Sequence, residues 1–190
     1  MAAANLPIFL LCWVCLVAYG VVGPRLFRPV VPAKNIRSKD LLFYLFVGML
    51  ARGIWHTIFY QSSPVLQIVG CLMGCCGLIL FLWAYLQHGD QTPGRAYTPD
   101  VPAVMITSGP YSRLRHPLYA AYLLSFLGMI VGTLDGVLAV AWLLLAVLYF
   151  NAAKLEEQLL GSSAHAATYR LYQQQSGLLL PWYFWRAKKV

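Results

Sequence analysis

The sequence has few charged residues, and acidic ones are especially scarce. Only 11% of its 190 residues are charged, with six Asp and Glu in total, whereas a soluble domain usually carries about 25%. Hydrophobic residues make up 60% of the chain and occur in long blocks. Because so little polar surface cannot coat a water-soluble globule, we expect an integral membrane protein. The length is close to that of one domain, and we predict a single domain over residues 1–190.

The sequence also lacks the signatures of several other classes. No Asn begins an N-x-S/T glycosylation sequon. The cysteines lie inside apolar blocks without a second ligand pair at zinc-site spacing, so we predict no metal. They are Cys12, Cys15, Cys71, Cys75 and Cys76. The net charge is +8, but the basic residues do not form a stripe interleaved with aromatic residues. This pattern argues against a nucleic-acid partner and favours anionic lipids as the partner. The sequence does not determine the oligomeric state.

The apolar blocks predict an all-α fold with five transmembrane helices. A spanning helix needs about 20 apolar residues, with a range of about 17 to 25. The predicted spans cover residues 6–22, 41–60, 65–86, 117–132 and 134–153, and a C-terminal tail follows over 154–190. Short polar turns around residues 61–64 and 132–136 predict two helical hairpins.

The basic residues are concentrated on one side of this topology. With five spans, the loops after the first and third spans share a side with the C-terminal tail. These segments hold every Lys and Arg except Arg52. The positive-inside rule then places the N-terminus outside and the C-terminus in the cytoplasm.

Small residues in the third span predict close helix packing. Gly70 and Gly74 form a G-x-x-x-G pair, and Gly77 follows one turn later. Such residues allow two helix backbones to approach closely. We predict that they pack against another helix of the same chain, and a dimer interface is the alternative.

Polar residues cluster where the third loop enters the membrane. The segment Ser108–Tyr119 contains two arginines, a histidine and two tyrosines, after a long Gly- and Pro-rich loop of a kind that is usually functional. Glu156 and Glu157 stand where the last span leaves the membrane. An even number of spans separates the two points, so they share a face and can form a polar pocket. The alternative is a set of interfacial anchors beside a solvated helix.

These residues resemble the motifs of one group of membrane enzymes. The run R-H-P-L-Y at 115–119 is preceded by S-G-P-Y at 108–111 and followed one helical hairpin later by E-E at 156–157. This combination resembles the isoprenylcysteine carboxyl methyltransferases and related phospholipid methyltransferases, over roughly residues 89–181. The resemblance implies transfer of a methyl group from S-adenosylmethionine to a lipophilic membrane acceptor. A prenylcysteine-type carboxylate is the first candidate acceptor, and a phospholipid amine or another small lipophilic nucleophile is the next.

The resemblance also implies a set of cofactor-binding residues. A carboxylate such as Glu156 suits the ammonium of the cofactor, and Arg115 or His116 suits its carboxylate. Tyrosine faces suit the adenine or the sulfonium. His116 is in addition a candidate catalytic residue. The full set is Ala103, Val104, Met105, Ile106, Tyr111, Arg115, His116, Pro117, Leu118, Tyr119, Glu156 and Glu157.

Two positions depart from the pattern of the family. Ala121 stands where a glycine is common, two residues after the motif tyrosine. Ala152 stands where the carboxyl methyltransferases place a substrate-linked arginine, one turn before the glutamate pair. The second departure weakens the assignment of a carboxylate acceptor more than that of the cofactor.

Arg52 is the second candidate catalytic residue, because an ionisable residue within a span is a functional candidate. His56 lies one turn further along the same helix face. We hypothesise that Arg52, with or without His56, holds the anionic head of a lipidic substrate. The alternative is an internal hydrogen bond to a backbone carbonyl or a polar neighbour.

Two other functions remain open at the level of sequence. Sterol-type reductases carry a similar R-H-P-x-Y element and would use NADPH, although the glutamate pair argues against them. A non-catalytic membrane protein could keep the same scaffold to bind a lipid or a partner.

Overall fold

The computed structural model describes Leu10, Val14 and Tyr19 and the ranges 36–87, 105–162 and 166–181. The helices are α1 (Ile36–Phe59), α2 (Pro64–Leu86), α3 (Pro117–Thr133), α4 (Gly136–Gly161) and α5 (Ala166–Gln175), with a 3-10 turn at Gly109–Ser112. Within these ranges the only β-type pairing is one isolated bridge, between Leu114 and Gly177. The predicted all-α fold is confirmed.

Three helices of the described ranges are long and apolar enough to cross a membrane. They are the Leu41–Phe59 part of α1, all of α2 and all of α4. The 17 residues of α3 are also apolar, but their length of about 25 Å is below the ~30 Å of a bilayer core. The predicted first span, 6–22, lies outside the described residues except for Leu10, Val14 and Tyr19, which are helical. The count of five spans therefore stays a prediction.

The last apolar helix extends well beyond its predicted span. The predicted span ended at residue 153, whereas α4 continues to Gly161. The intervening residues include Lys154, Leu155 and Gln158, which favour helix, so the apolar stretch ends without ending the helix. Glu156 and Glu157 consequently lie on a rigid extension of the span, about 100° apart around its axis.

Glycines bring α2 and α3 into close contact. A Cβ at Gly70 would collide with the carbonyl oxygen of Gly128 and lie 2.8 Å from the nitrogen of Gly132. A Cβ at Gly128 would lie 2.8 Å from the nitrogen of Gly74. The predicted packing of the G-x-x-x-G pair against a helix of the same chain is confirmed.

An aromatic cluster joins the first helical residues to the rest of the core. The Tyr19 ring makes edge contacts with Phe46, Phe81 and Tyr122, at centroid distances of 5.8, 4.7 and 4.6 Å. The Tyr19 hydroxyl is hydrogen-bonded to Ser125 Oγ at 2.5 Å. These contacts tie Tyr19 to α1, α2 and α3 and fix the first half of α3, the helix that carries the motif tyrosine.

Candidate active site at the start of helix α3

The motif segment is shaped by a tight turn and a proline. Gly109 adopts φ +58° at the start of the 3-10 turn, a conformation that favours glycine. Pro117 then occupies the first turn of α3, where a missing N–H leaves no hydrogen bond unmade. His116 is the N-cap of α3. The side chain of His116 is thereby held at the junction between the polar turn and the apolar helix.

The C-terminal strap, residues 176–178, pairs with the backbone of the motif. The amides of Arg115 and His116 donate to the carbonyls of Gly177 and Leu178, at 2.8 and 3.1 Å. The amide of Gly177 donates back to the carbonyl of Arg113 at 2.9 Å. The backbone at the start of the motif is therefore bound to a segment that lies about sixty residues later in the chain.

Helix α5 reinforces this pairing through Tyr172. Its hydroxyl donates to the carbonyl of Tyr111 at 2.6 Å. Burial raises the pKa of Tyr172 to about 12, and burial together with the neighbouring Tyr172 and Glu156 raises the pKa of Tyr111 further still. Both tyrosines stay protonated at neutral pH, so each hydroxyl remains a hydrogen-bond donor.

Arg115 and Glu157 form a buried ion pair. Arg115 Nε donates to Glu157 Oε1 at 2.5 Å, and the two side chains are only 10% and 7% exposed. Arg115 Nη1 donates to the backbone carbonyls of Gln173, at 3.3 Å, and Ser176. Lys154 Nζ lies 3.7 Å from Glu157 Oε2. The guanidinium thus fixes the strap and the end of α5 to α4.

Glu156 instead joins the two ring residues of the motif. Tyr119 donates its hydroxyl to Glu156 Oε1 at 2.5 Å, and His116 Nδ1 lies 3.3 Å from Glu156 Oε2. The His116 and Tyr119 rings lie parallel, with an interplanar angle of 1° and centroids 5.4 Å apart. The Glu156 side chain is 23% exposed. We call these three residues the Glu156 cluster.

One polar atom of this cluster has no partner. His116 Nε2 is buried and makes no hydrogen bond. Unsatisfied buried polar atoms are rare in native proteins, and each one calls for an explanation such as a catalytic role or a bound water or ion. The atom therefore identifies the cluster as a candidate site rather than a closed structural network.

Stacked tyrosines connect the cluster with the core. Tyr119 stacks on Tyr149 at 4.7 Å, and Tyr149 stacks on Tyr122 at 5.9 Å. Because Tyr122 belongs to the aromatic cluster around Tyr19, the ring positions at the site are fixed by packing across the bundle. Sequence reasoning did not identify Tyr149, since an aromatic residue inside an apolar helix carries no distinguishing signal.

The remaining predicted cofactor residues lie close to the motif in the chain. Pro117 and Leu118 are buried in the first turn of α3. Met105 and Ile106 are half-buried and precede the 3-10 turn. Ala103 and Val104 lie outside the described residues.

Arg52 lies far from the Glu156 cluster. Its Nη2 and Nε donate to Asp135 Oδ2 at 2.6 and 2.9 Å. Asp135 is the N-cap of α4 and accepts the amide of Leu138 at 3.0 Å. The turn holding Asp135 follows the C-terminus of α3, whereas His116 precedes its N-terminus, so about 25 Å of helix separates the two candidate catalytic residues. An internal polar neighbour is thus the observed partner of Arg52.

Comparison with protein families identifies one match. The phospholipid methyltransferase family matches residues 65–163, which is 99 of the 190 residues. The matched region runs from the start of α2 to the end of α4 and includes both the R-H-P-x-Y motif and the glutamate pair. No curated protein matches the sequence. The chain belongs to the phospholipid methyltransferase family, a family of membrane methyltransferases.

Proposed function

We propose that the protein transfers a methyl group from S-adenosylmethionine to a lipophilic acceptor in the membrane, with the cofactor bound at the Glu156 cluster. The convergence of His116 and Tyr119 on Glu156 carries this proposal, because all three residues lie within the region that matches the family. The bound cofactor supplies an electrophilic methyl group on a sulfonium. The role of the chain is to bind and align, which can supply much of the rate of an in-line displacement.

The donor and acceptor groups of the cluster suit this cofactor. Each Glu156 oxygen contacts one protein group and keeps a further lone pair, so the partly exposed carboxylate can accept hydrogen bonds from an ammonium. Tyr111 offers a half-buried ring. Arg115, whose donors contact Glu157 and the strap, supports the cluster as a positioning residue.

A phospholipid amine is the acceptor that we propose first. The matched family is named for phospholipid methylation. Ala152 stands at the position where the carboxyl methyltransferases have a substrate-linked arginine. It is fully buried in α4 and supplies no positive charge for binding a carboxylate. A prenylcysteine-type carboxylate is the second candidate, supported by the motif resemblance alone.

Calorimetric titration of the purified protein in detergent with S-adenosylmethionine and, separately, with NADPH tests the cofactor. We expect saturable binding of S-adenosylmethionine alone. We expect Glu156→Gln to weaken this binding by about tenfold or more, because a charge-assisted hydrogen bond to the ammonium is lost. Gln158→Ala, an exposed change two residues further on, is the matched control and should leave binding unchanged.

The other outcomes point to the alternative functions. Binding of NADPH alone would support the reductase. Binding of neither compound by a folded sample would support a non-catalytic lipid- or partner-binding protein.

A further inference from the structure

The contact with Glu156 favours one proton position on His116. Glu156 Oε2 lies 3.3 Å from His116 Nδ1, and because a carboxylate accepts hydrogen bonds and does not donate them, it favours a proton on Nδ1. In the neutral ring, Nε2 then carries a lone pair. That atom is buried and has no hydrogen-bond partner. The parallel Tyr119 ring, itself fixed by its bond to Glu156, holds the imidazole in this orientation.

The charges around the ring favour a cationic acceptor. Arg115 and Lys154 both contact Glu157, at 2.5 and 3.7 Å. Glu156 is therefore the ionic group that directly contacts His116. A carboxylate in this position stabilises an imidazolium formed opposite it, as in other carboxylate–histidine pairs. It also attracts an ammonium and repels an anion.

We propose that His116 is a general base that deprotonates a protonated amine acceptor, with Glu156 as the group that fixes its tautomer. This inference rests on the proposed methyl transfer. In the step, an N–H bond of the acceptor ammonium breaks and the proton goes to His116 Nε2. The electron pair of that bond stays on the acceptor nitrogen, which becomes the nucleophile for the sulfonium methyl group. A carboxylate acceptor, already an anion, would need no such base.

The tautomer is tested directly by nitrogen NMR of the protein labelled with 15N-histidine, with the His116 signals assigned by their loss in His116→Gln. We expect the neutral His116 ring to carry its proton on Nδ1, and Glu156→Ala, which removes the acceptor, to abolish this preference. A proton on Nε2 in the wild-type protein would overturn the proposal, because a protonated Nε2 has no lone pair to accept another.

Binding and turnover of His116→Gln separate a base from a cofactor ligand. We expect the variant to keep saturable binding of S-adenosylmethionine, because Glu156 and Tyr119 of the cluster remain. With phosphatidylethanolamine in mixed micelles, we expect kcat to fall about 100-fold or more while KM changes little, as for loss of a general base. The inference would be refuted if the variant turned over at the wild-type rate or lost its cofactor binding. It would also be refuted if the wild-type protein bound the cofactor but left this amine unmethylated. A wild-type protein that fails to bind the cofactor would refute the proposed function itself.

Discussion

Two adjacent glutamates of α4 have different environments. Glu157 is 7% exposed and pairs with Arg115, whereas Glu156 is 23% exposed and contacts His116 and Tyr119. The difference arises from their angular separation on the helix and from the strap, which covers the side of Arg115. We therefore propose that Glu156 contributes to ligand binding and that Glu157 stabilises the structure around it.

Glu157→Gln should therefore affect folding more than Glu156→Gln does. It leaves the buried Arg115 guanidinium without its carboxylate, which in comparable buried pairs costs about 3–5 kcal/mol. We expect a lower thermal midpoint in detergent for Glu157→Gln and a near wild-type midpoint for Glu156→Gln. Equal midpoints for the two variants would contradict the division of roles.

The ion pair between Arg52 and Asp135 is predicted to act on stability alone. Arg52→Met removes the partner of an Asp135 side chain that is only 3% exposed, so we expect a measurable loss of thermal stability. Because the pair lies about 25 Å of helix away from His116, calorimetry should give an unchanged affinity for S-adenosylmethionine. A clear change in that affinity, or in KM for a lipid acceptor, would instead support the substrate-binding hypothesis for Arg52.

At the scale of elements, the contact between α2 and α3 depends on the absence of side chains. Gly70→Ala introduces a Cβ against the backbone of Gly128 and Gly132. Gly48→Ala, in α1, meets nothing within 4 Å and is the matched control. We expect Gly70→Ala to destabilise the protein and Gly48→Ala to be neutral or stabilising by up to about 1 kcal/mol. Thermal unfolding of both variants checks the prediction, and equal effects would contradict it.

The docking of α5 should be sensitive to alkaline pH. Burial raises the pKa of Tyr172 from the ordinary value of 10 to about 12. The stabilisation that the protonated Tyr172 hydroxyl provides is thus complete below pH 10 and is lost as the pH rises towards 12. Tyr172→Phe should show a smaller fall in thermal midpoint between pH 9 and pH 11, although its midpoint at pH 8 is lower because the bond to Tyr111 is missing. An identical pH dependence would contradict this role.

At the scale of the whole molecule, two exposed serines lie at opposite ends of α2, a candidate membrane span. Ser63 precedes its N-terminus, whereas Ser112 belongs to the 3-10 turn at the opposite end, where Ser108 Oγ lies 2.9 Å from Gln87 Oε1. The 23 residues of α2 span about 35 Å, which exceeds the thickness of a bilayer core.

The orientation can be read by labelling these two positions in a cysteine-free background. We expect Ser63→Cys to react with an impermeant thiol reagent from outside the cell and Ser112→Cys to react only after permeabilisation. The reverse pattern would show that the basic side faces outward, against the positive-inside prediction.

Much of the architecture follows from local sequence. The apolar blocks and the Gly, Pro and polar turns that bound them predicted the starts of α2 and α3 to within one residue of those observed. These signals act through the local backbone and do not depend on tertiary contacts. The R-H-P-x-Y and E-E motifs identified the residues that meet at the site. The end of α4 was not predictable from hydropathy, since the helix continues through residues that are polar but helix-forming.

Sequence alone determined that the chain is helical, apolar and too poor in charge to be soluble, because composition and periodicity are properties of single segments. Tertiary structure decided how the few charged groups pair. Arg52 contacts Asp135, which lies 83 residues later in the chain. Arg115 is paired with Glu157 and is therefore not an unpaired cation that awaits a ligand. Tertiary structure also gave Glu156 two ring partners and left His116 Nε2 unpartnered. In an apolar interior each charged side chain pairs with the nearest side chain of opposite charge. Which side chain is nearest depends on how the helices pack and how each is rotated about its axis.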